Sequence, residues 1–313
     1  MAKLKDKIQN ALNECRMLVL GAQVLLGFQF RSAFEPGFNK LSPSAQYLKL
    51  SGLALMLIVI GLLLAPGAHH RIADDGEDTQ RQHRFTTLIM DWALLPFACA
   101  IGIDLYVAFS QTFGQTEGRV AGVAGILFAL FFWYGLEFMR KAGHRHTKME
   151  KQEMGQQEKS GSESGGSQVK DKIKHVLTEA RVVLPGAQAL LGFQLITMFT
   201  EAFEKLPASS KYVHLASLSL VAVSIVLLMT PAAYHRIVEE GEETEHFHRF
   251  ASRVLIASMI PLALGICGDY FVVMRKVIVS STYSIISASL MLIFFYSLWF
   301  GLTLYRREHP SSS

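Results

Sequence analysis

Two short segments concentrate the side chains that could do chemistry. The first reads His69-His70-Arg71-Ile72-Ala73-Asp74-Asp75-Gly76-Glu77-Asp78-Thr79, followed by His83-Arg84-Phe85. The second reads Tyr234-His235-Arg236-Ile237-Val238-Glu239-Glu240-Gly241-Glu242-Glu243-Thr244, followed by His248-Arg249-Phe250. Between them acids stay acids while Asp and Glu exchange, so charge is kept more strictly than shape. Imidazoles beside carboxylates can hold a divalent metal or gain and lose a proton near neutrality. The candidate metal or pH-sensing groups are His70, Asp74, Glu77 and His83, with His235, Glu239, Glu242 and His248. Gly76 and Gly241 fit the end of one helix and the threonines the start of the next, which would set His70 and His83 at similar depth on antiparallel neighbours. The spacing matches no zinc motif and HExxH is absent. A bland reading competes: Arg and His anchor a headgroup level while the acids solvate a tip.

A second pair of candidates is Asp104 and Asp269, each eight residues beyond a proline, Pro96 and Pro261, in apolar sequence. An acid inside a membrane helix is costly and a functional suspect by default. From Arg84 to Asp104 is about 30 Å of helix, so the acid falls near the far interface. It is either a solvated or interface-paired carboxylate or an ion or proton site. Asp91 lies deeper, but Ile256 stands in its place in the second half. Gln23 and Gly27, with Gln188 and Gly192, read as helix packing, small residues allowing close approach and amides bonding across the contact. Gly118-x-x-x-Gly122 reads the same way, whereas the matching region around Ser280 to Ser289 is rich in hydroxyls.

These pairs exist because residues 8–108 recur without a gap at 173–273, an offset of 165. Half the residues are hydrophobic and 18% are charged, a membrane composition. Eight stretches approach the roughly 20 apolar residues that cross a bilayer as helix: 17–34, 50–66, 86–110, 120–139, 182–200, 215–230, 251–273 and 277–305. The expected fold is an all-α membrane protein of eight transmembrane helices, arranged as two parallel four-helix repeats with both termini cytoplasmic. The repeats span 1–141 and 171–306, joined by a Gly/Ser/Gln/Glu-rich cytoplasmic linker at 142–170 and followed by a short tail at 307–313. Each repeat opens on an amphipathic stripe (Ile8, Ala11, Leu12 and Cys15; Ile173, Val176, Leu177 and Ala180). The stripe is either a helix lying on the inner leaflet or the first turns of the first span. Because the pattern recurs internally, the N-terminal copy is read as retained and not as a signal peptide.

With both ends on one side, that side holds about 22 of the Lys and Arg residues and the other about 8, which makes it cytoplasmic. The net charge of +4 therefore needs no nucleic acid to explain it. The partners expected are the lipid bilayer and, through self-association, the other repeat. Cys15, Cys99 and Cys267 lack the spacing of a disulfide framework or zinc cluster and read as packing residues. Trp133, Tyr134, Tyr296 and Trp299 read as interfacial belt anchors.

The Glu-x-Arg-x6-Gln start of each first span, and Pro66 ahead of His70-Arg71, resemble a family of small bacterial four-span membrane proteins known only as a domain of unknown function. The likeness is clearest at Ala232-Ala233-Tyr234-His235-Arg236, while His69 departs from the tyrosine. The resemblance implies an integral, multi-pass protein of the bacterial inner membrane and brings no activity with it. It also implies that single-copy relatives dimerise and that this chain is the fused pair. Transport of a small solute or ion through the acid-bearing helices is the leading functional reading. A structural or sensory scaffold comes second and a membrane metalloenzyme using the hairpins last. No cofactor is called for beyond the divalent metal the hairpins could take.

Overall fold

The computed structural model describes residues 2–73, 79–135, 183–237, 244–278 and 280–308, and all regular structure among them is helical. The first repeat contains α1 (Ala2–Ser32), the single turn α2 (Pro36–Asn39), α3 (Pro43–Ile72), α4 (Gln80–Thr112) and α5 (Gln115–Leu130), the last continued by a π-helical turn, Phe131–Gly135. The second contains α6 (Val183–Thr197), α7 (Glu201–Glu204), α8 (Ala208–Ile237), α9 (Glu245–Val277) and α10 (Ser281–Tyr296). It continues through a π-helical turn at Ser297–Gly301 into α11 (Leu302–Glu308). Element for element the halves correspond at an offset of 165 as far as α9. From α10 the offset is 166 (Gln115 to Ser281), so one residue is added in the turn before it.

Six helices among the described residues are long and apolar enough to cross a membrane, and α6 and the part of α1 from Met17 to Ser32 are shorter apolar helices. The amphipathic lead-in is not a separate element in the first repeat: α1 runs unbroken from Ala2 to Ser32. Helix starts are set by hydroxyls that accept an otherwise orphan amide. Ser42 caps Ala45, Thr79 caps Gln82, Thr200 caps Phe203 and Thr244 caps Phe247. The two threonines after the acidic tips thus start α4 and α9, while Gly76 and Gly241 lie outside the described residues.

Glycine positions show how closely the helices approach. A Cβ on Gly122 would stand 2.9 Å from the Gly102 carbonyl, and one on Gly118 would stand 2.7 Å from Ser110 Cβ, so α4 and α5 meet backbone to backbone. Between the repeats, α1 crosses α6 where Phe193 lies on Gly27, its ring 2.2 Å from where a Cβ would be. The end of the second repeat packs on α3. There Trp299 is fully buried and donates Nε1–H to the Gly61 carbonyl at 2.8 Å, stacked on Phe295. Trp299 is therefore a seam residue and not a belt anchor, whereas its counterpart Trp133 stays in its own repeat against Phe97. Farther along the seam Arg306 lies over the Phe85 ring, and Arg81 donates to the Arg306 carbonyl. At the opposite end of the bundle Lys276 of α9 reaches the first repeat, donating to the Ala33 carbonyl and Asn39 Oδ1 above the Phe38 ring.

Candidate functional site

Each repeat places one polar triad at the end of the bundle where its first and third helices are joined. In the first repeat Gln29 comes from the last turn of α1, Lys49 from the second turn of α3, and Asp104 from two turns before the end of α4. Gln29 Nε2 donates to Asp104 Oδ2 at 2.8 Å and Lys49 Nζ to Asp104 Oδ1 at 2.5 Å. The ion pair is half-buried, with the Lys49 side chain 16% and the Asp104 side chain 27% exposed.

Offset by 165, the second repeat builds the same triad from Gln194, His214 and Asp269. Gln194 Nε2 donates to Asp269 Oδ2 at 2.5 Å, and His214 Nδ1 lies 2.9 Å from Asp269 Oδ1. His214 Nε2 lies 3.1 Å from the backbone carbonyl of Gln194. That carbonyl belongs to the last turn of α6, where helix carbonyls have no intrahelical donor. In the first repeat the Gln29 carbonyl takes the Ser32 hydroxyl instead, while Thr197, which corresponds to Ser32, turns to the Phe193 carbonyl. This pair is sealed, its side chains only 4% and 5% exposed.

In both triads the amide oxygen Oε1 of the glutamine is buried with no hydrogen-bond partner among the described residues. Beside the second triad is a cavity of about 10 Å³, lined by Gln194, Thr197, His214 and Asp269 and closed by Phe30 of α1 and Phe34 in the turn that follows it. That is the lower limit for one water. A larger cavity of about 70 Å³ lies between the repeats toward the other end of the bundle, where Cys15, Val19 and Pro66 face Val183 and Leu228, with Arg71 among its lining.

The other sequence candidates are placed as follows. Asp104 and Asp269 are the triad acids, each paired with a cation-forming side chain, and Asp269 is buried, not solvated. Gln23 is buried against Gly186, and Gly27 lies under Phe193, whereas Gln188 is exposed and Gly192 has open space around it. His70 is buried at the end of α3 and His248 in the first turn of α9. Asp74, Glu77, Glu239 and Glu242 lie outside the described residues, as do the side chains of His83 and His235. Among the described residues no three His, Cys, Asp or Glu side chains are grouped to hold a metal. Next to His70, His69 Nδ1 bonds Gln82 Oε1 at 2.8 Å, and Gln82 Nε2 donates to the Pro66 carbonyl.

Lys49 and His214 are the site residues that sequence reasoning missed. Identity between the repeats is lost at their position, so a comparison that follows identical residues passes over it, although both side chains can carry positive charge. One signal was available: Gln29 with Asp104 and Gln194 with Asp269 recur together, and a recurring buried acid needs a recurring cation.

A family model describing DUF6328, a family of unknown function, matches residues 2–137 and again residues 162–303. No curated protein and no solved structure matches the chain.

Proposed function

The chain belongs to DUF6328, a family of unknown function whose model it matches twice, and from that premise we propose an eight-span membrane protein that moves protons or small cations along the seam between its repeats. One observation carries this: both repeats keep a carboxylate paired with a cation-forming side chain at the same place in apolar helices. Burying such a pair is unfavourable compared with apolar packing of the same volume, and charged groups in membrane helices mark ion pathways. A scaffold has no use for two of them. The course of the pathway is supported by one face of α1. Cys15 and Val19 line the larger cavity and Phe30 the smaller, with the buried Gln23 between them. The cavities do not meet in this closed arrangement, so passage requires the Gly27–Phe193 crossing to open.

The Lys and Arg distribution supports a cytoplasmic location for both termini, and the resemblance supports a bacterial inner membrane. The test is flux. Purified protein is reconstituted into vesicles containing a pH-sensitive dye, a potassium gradient is imposed with valinomycin, and proton entry is followed with and without external sodium. Entry above protein-free vesicles, reduced at least tenfold by Asp269→Asn in folded protein, is the expected result. Rates equal to protein-free vesicles, or unchanged by Asp269→Asn, would overturn the proposal.

A further inference from the structure

We propose that the two triads have divided their work: the His214–Asp269 pair of the second repeat is a proton-binding site, shown here loaded, and the Lys49–Asp104 pair of the first is its permanently charged counterpart. The argument is a proton count. The Gln194 backbone carbonyl is only an acceptor, so His214 Nε2, 3.1 Å away, must carry hydrogen. Asp269 Oδ1, 2.9 Å from Nδ1, is an acceptor unless the acid is itself protonated. One more proton must therefore lie between Nδ1 and Oδ1, either on the imidazole facing a carboxylate or on the acid facing a neutral ring. Both descriptions have the same net charge, zero, which is also the charge of Lys49 with Asp104. Without that proton two lone pairs would face each other across 2.9 Å, and an uncompensated negative charge would remain in a sealed apolar site.

Gln194 does not supply this proton, because its amide group already donates to Asp269 Oδ2. Nor does Thr197, which donates to the Phe193 carbonyl. The elements packed around the pair bring aromatic and aliphatic groups: Phe30 from α1, Phe34 from the turn after it, Phe203 from α7, Val272 and Val273 from α9. The nearby charges are engaged elsewhere or exposed. Lys276 is held by the Ala33 carbonyl and Asn39, and Lys211 by the Glu204 carbonyl, while Glu201, Glu204 and Lys205 are at the surface. The capture and release of the proton thus belong to His214 and Asp269. The first repeat has an ammonium in the same place.

This rests on the reading of the triads as the working sites, but its test is separate from flux. Thermal unfolding of the purified full chain in detergent is followed from about pH 5.5 to 9, a range that spans the point where a solvated imidazole titrates. Above about pH 6.5 the unfolded chain has lost the imidazole proton that the closed site still holds, so stability falls as pH rises. Tm of the parent should drop by several degrees across the upper half of the range. His214→Lys, which installs the first repeat's residue, should flatten that slope, and Lys49→His should steepen it. A parent Tm without a downward slope above pH 6.5 would overturn the inference, as would His214→Lys with the parent's slope. Should His214→Lys fail to fold, Lys49→His decides, because a profile identical to the parent's overturns the division of work. A pH slope without flux would retain this site and remove transport; flux with no pH slope would do the reverse.

Discussion

Lys49 and His214 occupy one position of the repeat, an amine in one half and an imidazole in the other, each set against the acid of its triad. A second exchange shows how the repeats vary in pairs. Where the first has His69 bonded to Gln82, the second has Tyr234 stacked near Phe247, and both members are offset by 165. A polar contact has been traded for an aromatic one by changing both sides. The prediction follows at this scale. His69→Tyr or Gln82→Phe alone leaves the other polar group buried and should cost about 1–3 kcal/mol. The double variant should recover much of that, a coupling of about 1 kcal/mol or more in a double-mutant cycle of unfolding in detergent. Strictly additive losses would show that the exchange is not compensated.

At the level of elements, much of the architecture could be read from the sequence. The long apolar helices, the threonine starts of α4 and α9 and the pairing of halves follow from hydropathy, capping chemistry and the repeat. The triads could be read only in part. The glutamines and acids recur as identities, but their cations do not, and spacing along separate helices does not say which side chains converge. Trp299 was legible as an aromatic near a membrane boundary, yet its seat on Gly61 depends on packing between repeats. The Trp-(Tyr/Phe)-Gly match of the two π-helical turns is hidden by the added residue before α10. The helix crossing carries a prediction with its own control. Gly27→Ala would drive a methyl into Phe193 and should destabilise by about 1–3 kcal/mol. Gly192→Ala, the equivalent change where space is open, should stay within about 0.5 kcal/mol. Equal effects on the unfolding midpoint would mean that the crossing is not packed as described.

For the whole molecule, the seam is built from unlike contributions. The second repeat sends Trp299 and Lys276 into the first, and the first receives them at Gly61 and Ala33. Two units held this way should stay together without a covalent link. With a protease site placed in 142–170 and cut, the halves should co-elute in detergent, and Gly61→Leu, which drives a side chain into Phe294 and Phe295, should separate them. Halves that part in the unmodified chain would show that the linker holds the pair.

The tryptophan seat also has a consequence in time. Gly61 and Trp299 are 238 residues apart, and chains grow at about 5–20 residues per second. Roughly 12–50 seconds therefore pass between synthesis of the seat and synthesis of its occupant. Throughout that interval the first repeat is already long enough to fold, yet its most buried helix has an open flank facing lipid and other newly made helices. The order of manufacture thus leaves the first repeat as the half exposed to mispairing until the segment that carries Trp299 is made.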